Sequence, residues 1–340
     1  MDLRKAQELW DAEPGWLNTA SYGLPPRPAW EALLRAQSQW RHGSTDWAPW
    51  DESTGRSRAA FARLTGAAPG DVAVASTTSY FMGLVAASLP PGARVVAPEV
   101  EFTSNLFPWM ASAEVSCVPL DRLADSVDAR TSLVAFSLVQ SATGEIAPVE
   151  DILAAARAHG ALVAVDATQA VGWLPLDATR FDVVACSAYK WLMAPRGAAF
   201  AAFSPRAREL VRPLAANWYA GGGAYYGPPL RLNGDASAFD LSPAWFSFVG
   251  AAPAMELLLE IGVERIRDHN VALANRFLAG LGLPPGGSAI VSVDVPGAAD
   301  RLRAAGVRAA VRAGRVRASF HVYSTEADVD LALAALTGPA

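Results

Sequence analysis

Arginine carries nearly all the positive charge of this 340-residue chain, and Lys190 is the only lysine beyond Lys5. It lies in "VDATQAVGWLPLDATRFDVVACSAYKWL", residues 165–192, downstream of Asp166, which closes an apolar run. A buried lysine is costly when charged and gives up its proton readily. Such an amine suits a nucleophile that forms a Schiff base with an aldehyde. A buried aspartate is an unpaired burden, unless it faces a protonated pyridine nitrogen and so keeps the ring an electron sink. The two requirements together specify pyridoxal phosphate, and D-x-x-Q followed by S-x-x-K suits that cofactor. Gln169, one turn after Asp166, reaches toward the ring hydroxyl, and Ser187, just before the lysine, toward the phosphate. Taken singly, Lys190 reads as a snorkelling surface lysine and Asp166 as a helix cap at a strand end. Their order and company reverse both readings.

Positioning these groups takes a particular scaffold. Short β-rich runs at 71–76, 93–99, 115–120, 131–139, 161–166, 181–188 and 197–204 alternate with helical segments at 79–89, 103–113 (interrupted at Pro108) and 149–160. Near-continuous apolar strands separated by helices indicate a mainly parallel sheet covered on both faces. Ligands of such sheets bind outside the carboxyl ends of the strands, so Asp166, Ser76 to Thr78 and Ser141 should converge on one crevice. From 206 to 248 the pattern breaks into a stretch rich in Gly, Pro and aromatics, which in a compact domain is usually functional. Its Trp218, Tyr219, Tyr225, Tyr226, Trp245 and Phe246 suit a subunit interface or a substrate pocket. A long helical region, 248–282, leads into a small α+β unit that ends in a helix over 326–336. The expected division is a large domain over 15–249 and a small one formed by 1–14 with 250–340.

Composition narrows the function classes. Fifty-two per cent hydrophobic residues and a slightly positive mean hydropathy predict a well-filled core. The net charge of -5 comes without a basic block, so nucleic acid is not an expected partner. No apolar run reaches the roughly 18–20 residues of a membrane span, and the charged N-terminus does not read as a signal peptide. Cys117 and Cys186 stand far apart in apolar contexts and are expected to be buried, reduced thiols of a cytoplasmic protein. His42, His159, His269 and His321 are too scattered for a metal site. Of these, His159 and His269 are expected in solvent and His321 in a structural position.

The segment "VDATQAVG…VVACSAYKWLMAPRGAAF" resembles the class V aminotransferases of the fold-type I pyridoxal-phosphate enzymes, in the branch of the cysteine desulfurases and selenocysteine lyases. The likeness runs over almost the whole chain. It implies the α/β fold-type I architecture, with a mainly parallel seven-stranded sheet in a large domain and a small α+β C-terminal domain. It also implies a Schiff base at Lys190, a pairing of Asp166 with the ring nitrogen and a contact from Gln169 to the ring oxygen. "STTS", residues 76–79, is similar to the family's phosphate turn and makes Thr77 and Thr78 phosphate ligands at a helix N-terminus. "FDLSP", residues 239–243, resembles the loop by which a neighbouring subunit supplies a hydroxyl, here Ser242, and implies a homodimer with a shared site. The C-terminal signature places Arg317 on the substrate carboxylate, with Arg312 as a further candidate. "LNTASYG", residues 17–23, resembles the segment lining the same mouth and adds Asn18. Ser141, at a strand end, is a further cofactor-binding candidate.

The departures from the family carry equal weight. Phe102 stands where desulfurases place a ring-stacking histidine; it can stack but cannot exchange protons. Tyr189 replaces the histidine before the lysine and keeps a donor hydroxyl. "AAVRAGRVRASF", residues 309–320, passes straight from Arg312 to Arg317, without the insertion that carries the persulfide-forming cysteine. These features point to a small-molecule amino-acid or amine substrate and to Cα deprotonation with an aminotransferase-type outcome. The alternatives are a β-eliminating C–S lyase or an epimerase, with a persulfide-type desulfurase disfavoured. A non-catalytic protein of the same fold is the reading of another class, and the Lys190–Asp166 pair argues against it.

Overall fold

The seven expected strands pair into a single sheet: β1 (Val72–Ala75), β2 (Arg94–Pro98), β3 (Glu114–Val118), β4 (Leu133–Ser137), β5 (Leu162–Asp166), β6 (Val183–Ser187) and β7 (Ala199–Phe203). In this computed structural model, residues 1–223 and 225–337 are described. Ala224, in the aromatic-rich stretch, and the last three residues of the expected small domain lie outside the described residues. The spatial order is β1-β7-β6-β5-β4-β2-β3. Only β7 runs against its neighbours; the remaining pairs are parallel.

Every residue of β1, β4, β5, β6 and β7 is buried, because helices cover both faces. Alternation then divides the side chains between two cores. Val163 and Val165 join Phe61, Trp173 and Phe248 on one face, while Leu162 and Ala164 join Phe81, Trp109 and Phe203 on the other. With β4, β5 and β6 parallel, their last residues, Ser137, Asp166 and Ser187, all end at the same edge. That edge carries the site.

A second, three-stranded antiparallel sheet has the order β8 (Ile290–Val293), β10 (Arg315–Ser319), β9 (Ala310–Arg312). Its core includes Phe277, Leu302, Phe320 and Leu336. The N-terminal segment threads beside it: Leu17 N donates to Arg308 O at 2.9 Å, and Ser319 N donates to Leu17 O at 2.9 Å.

The helical region expected to run on from 248 to 282 is two helices, Trp245–Ile261 and Val263–Gly280, bent by 84°. Gly262, at φ 95, makes the corner in a conformation that costs only glycine little. The first helix buries Phe248, Met255 and Leu258 in the core of the large sheet, and the second buries Leu273 and Phe277 against the small one. No single described helix is long and apolar enough to cross a membrane.

Three further expectations are corrected. The helix Thr103–Met110 runs through Pro108; in so short a helix the proline forfeits one intrahelical bond, that to Ser104. Cys117 is exposed, because β3 is an edge strand with no neighbour on its outer side. His269 is half-buried, with Nε2 3.0 Å from the carbonyl of Ser324. Cys186 and His321 are buried, as read from the sequence.

Candidate active site

Lys190 sits in a tight turn that leaves the end of β6. Ala188 N donates to Ala198 O at 2.9 Å, Ala194 N to Ala188 O at 3.0 Å and Met193 N to Lys190 O at 3.1 Å. Met193 adopts φ 55, a strained value for a non-glycine residue that the surrounding bonds must enforce. Two glycines press on this turn. A Cβ on Gly23 would lie 1.9 Å from Lys190 O, and one on Gly172 2.7 Å from Trp191 O. Gly23 N also donates to Tyr189 O at 3.0 Å. The lysine backbone is thereby clamped between the N-terminal segment and the turn after β5.

Lys190 is 7% exposed, and Asp166 is equally buried. Its Nζ lies 5.6 Å from the ring centroids of both Phe102 and Tyr189. Burial pulls the amine down to about 8, with Asp166 opposing the shift and Arg317 adding to it. Asp166 moves the other way: burial raises it, while Thr168 and the charge of Lys190 draw it back. Asp166 Oδ1 accepts from Thr168 N at 2.8 Å. Thus one amine and one carboxylate share a cleft lined also by Thr77, Thr78, Phe102, Ser141, Gln169, Ser187 and Tyr189.

Gln169 is oriented unambiguously. Trp191 Nε1, which can only donate, gives its hydrogen to Gln169 Oε1 at 2.7 Å. The amide nitrogen is therefore turned to Ala20 O at 3.0 Å and Ser141 Oγ at 3.1 Å. Ser187 Oγ accepts from Thr78 N at 3.1 Å and shares a hydrogen bond with Thr78 Oγ1 at 2.7 Å. These hydroxyls stand at the start of the helix Thr78–Ala86, where first-turn amides lack intrahelical partners and the dipole favours an anion.

Arg317 is 1% exposed and reaches from β10 to the cleft wall. Its Nη1 donates to Ser141 O at 2.5 Å and its Nη2 to Ser21 Oγ at 2.7 Å, while its buried Nε has no partner. Arg312 Nη2 meets the same Ser21 hydroxyl at 3.4 Å from an exposed position. Four candidates do not themselves line this cleft: Arg317 touches its lining only at Ser141, Arg312 meets Ser21, and Asn18 and Ser242 lie elsewhere. Asn18 lines a separate depression with Trp16 and Val316, and its Oδ1 is buried without a partner. Ser242 is exposed and absent from the cleft lining.

Thr168 and Arg196 of the lining, and Glu101 beside it, escaped the sequence reading. Thr168 accepts from Ser187 N at 3.0 Å through its hydroxyl, which also meets Thr78 Oγ1 at 3.1 Å. Glu101 is buried; its carboxylate accepts from Phe102 N at 2.8 Å and Ser137 N at 2.7 Å, and so anchors the segment that carries Phe102. Arg196 lies 4.7 Å over the ring of Tyr189. Thr168 sits inside the quoted VDATQ run and Glu101 directly precedes Phe102, so adjacency to a named residue was the available signal. Arg196 lies in the quoted run after Lys190 as well, but nothing in its spacing distinguished it there.

A family model described as "Aminotransferase class-V" matches residues 50–295. The chain belongs to the class V aminotransferase family. It is a pyridoxal-phosphate-dependent enzyme. An "Uncharacterized aminotransferase YcbU" of Bacillus subtilis (strain 168) is 27% identical over 92% of this chain and 91% of that one. An "Isopenicillin N epimerase" of Streptomyces clavuligerus is 32% identical over 59% of this chain and 56% of its own length. The solved structure of a C-DES mutant with glycine covalently linked to the PLP cofactor superposes with a TM-score of 0.89, covering 99% of both chains at 20% identity; that likeness concerns the fold. The cleft of this class V aminotransferase chain fits the cofactor on its own terms. It offers a depressed amine, a buried carboxylate facing no arginine, a hydroxyl cluster at a helix start and a flat ring beside the amine.

Proposed function

We propose that this chain transaminates an α-amino acid, with Lys190 as the sole proton carrier at Cα. Bound pyridoxal phosphate would supply an aldehyde for the amine and an electron sink for charge developing at Cα. Asp166 would hold a positive ring nitrogen, which also relieves the cost of its own burial. Thr78, Ser187 and the helix amides behind Thr77 would bind the phosphate, with the Tyr189 hydroxyl as a further donor. Gln169 presents its amide nitrogen toward the cleft because Trp191 occupies its oxygen. Phe102 covers the site and limits water.

Arg317, with an orphaned Nε, would bind the substrate carboxylate. Lys190 Nζ, near neutrality at about 8, then takes the Cα proton and redelivers it. The observation that carries this reading is the pairing of a burial-depressed amine with a buried carboxylate in one cleft. Epimerisation needs a second proton carrier, and the ring beside Lys190 is Phe102, which carries none. The tyrosine there, Tyr189, is pushed up by burial, so it could deliver a proton but is a poor base for removing one. A persulfide route lacks a suitable thiol among the described residues: Cys186 is fully buried and raised well above its ordinary range, and Cys117 is on the far edge strand. The exposed Ser242, on a loop outside its own cleft, suits donation to a second copy in a homodimer.

The test offers the loaded enzyme a panel of amino acids and measures pyridoxamine phosphate together with keto acid and ammonia. Stoichiometric pyridoxamine phosphate supports transamination. Keto acid and ammonia without it would establish β-elimination instead, and deuterium at Cα of inverted substrate would establish epimerisation.

A further inference from the structure

The charges around the cleft do not balance for a simple zwitterionic substrate. Two guanidinium groups, Arg317 and Arg312, meet at one hydroxyl, Ser21 Oγ, at 2.7 and 3.4 Å. Among the described residues neither has a carboxylate within ion-pair distance, whereas Arg276 pairs with Asp330 and Arg303 with Asp300; Arg315, in the same strand as Arg317, is also without one but is turned to Ser292 O, away from Ser21. Like charges this close repel, and Arg317, buried and beside Arg312, is drawn down to about 10. Asp166, the acid of the cleft lining, and the buried Glu101 beside Phe102 are committed elsewhere. Asp166 faces Lys190 and Thr168, and Glu101 is held by Ser137 and Phe102.

The backbone keeps both arginines where they are. Arg317 lies mid-strand in β10, paired with Ala310 of β9 and Ser292 of β8. Arg312 closes the β9–β10 hairpin opposite Arg315. The connection is two residues, Ala313 at φ 47 and Gly314 at φ 76, the geometry of a tight hairpin turn with positive φ at both positions. So short a link leaves no loop to cover the mouth, and Arg312 remains exposed there. A row of contacts runs outward from the cleft: Gln169 to Ser141, Ser141 to Arg317, Arg317 to Ser21, Ser21 to Arg312. Its inner arginine is buried with an unpartnered Nε, and its outer one faces solvent.

We propose that the preferred substrate carries two anionic groups, an α-carboxylate bound by Arg317 and a side-chain anion bound by Arg312 at the mouth. This rests on the reading of the cleft as an amino-acid site. One carboxylate can neutralise one guanidinium, and a second anion on the side chain neutralises the other. Acidic amino acids and their sulfonate analogues share that chemistry.

The experiment titrates the cofactor-loaded full chain with matched pairs, L-glutamate against L-glutamine and L-aspartate against L-asparagine, with L-cysteate as the sulfonate, and follows the change in cofactor absorbance. The acidic member of a pair should bind at least about tenfold more tightly, the scale of one charged hydrogen-bonded contact. That preference should shrink as salt is raised. Arg312→Gln should collapse the ratio, and Arg312→Glu should invert it in favour of L-ornithine over L-glutamate. Tighter binding of cysteate than of either dicarboxylate would assign the outer site to sulfonates. Equal binding of acidic and neutral partners, or a ratio that survives Arg312→Gln, would overturn the proposal while leaving the amino-acid site standing. An absorbance that no amino acid perturbs would overturn both.

Discussion

Burial holds the Lys190 amine near neutrality, and the same burial makes its charge a cost to the fold. Its folded value of about 8 lies below the ordinary 10.5, so between these two the unfolded chain binds more protons than the folded one. Stability of the cofactor-free protein should therefore rise with pH across that window, on the order of 3 kcal/mol from this group alone. Urea unfolding of wild type against Lys190→Met would reveal the rise as a difference that vanishes in the variant. A parallel pH dependence in both proteins would refute it. At this scale the sequence was most legible where spacing encodes chemistry. Lys190, Asp166, Gln169, Ser187 and the Thr77–Thr78 turn could be picked out because each motif is local, and all of them line one cleft. Arg196 and Ser21 could not, since their positions depend on where distant segments pack. Asn18 was read as lining the mouth by analogy with its segment, yet it is Ser21, three residues on, that reaches Arg317.

The turn after β6 depends on its neighbours as much as on its own sequence. Gly23 leaves no room for a side chain against Lys190 O. Gly23→Ala should displace the turn, cost about 1–3 kcal/mol of stability and weaken retention of pyridoxal phosphate during dialysis. Gly83→Ala is the matched control, because that helical position has open space around it, and alanine there should stabilise by up to about 1 kcal/mol. Equal melting temperatures and equal cofactor retention in the two variants would contradict the clamp. The strands were readable in advance because burial on both faces leaves an uninterrupted apolar run. The corner at Gly262 was hidden by the continuous helical pattern on either side of it, and Pro108 misled because a short helix can tolerate it.

Across the whole molecule, one buried ion pair ties three separated segments together. Arg58, on the helix Ala48–Thr65, pairs with Asp240 at 2.6 Å and donates to Val72 O, while Asp240 Oδ1 accepts from Val74 N at 2.7 Å. Arg58→Ala would strand a buried carboxylate at a cost of about 3–5 kcal/mol. Burial already pushes Asp240 up to about 6 with the arginine present, so the defect should lessen as pH falls toward 5 and the acid takes up a proton. Thermal melts at pH 7.5 and 5 would test this, and an equal loss at both would oppose it. The cleft, too, draws on all parts of the polypeptide. Ser21 and Gly23 come from near its beginning, Ser141 and Lys190 from its middle, and Arg317 from near its end, with Leu17 stitched to Arg308 and Ser319. On a ribosome, Leu17 emerges long before the strand Arg315–Ser319 that it lies beside has been translated. Gly23 can meet the Lys190 turn once the middle of the chain is out, but Leu17 must wait for both of its backbone partners until synthesis is nearly finished, so the wall that holds Arg317 is the last part of the site to form.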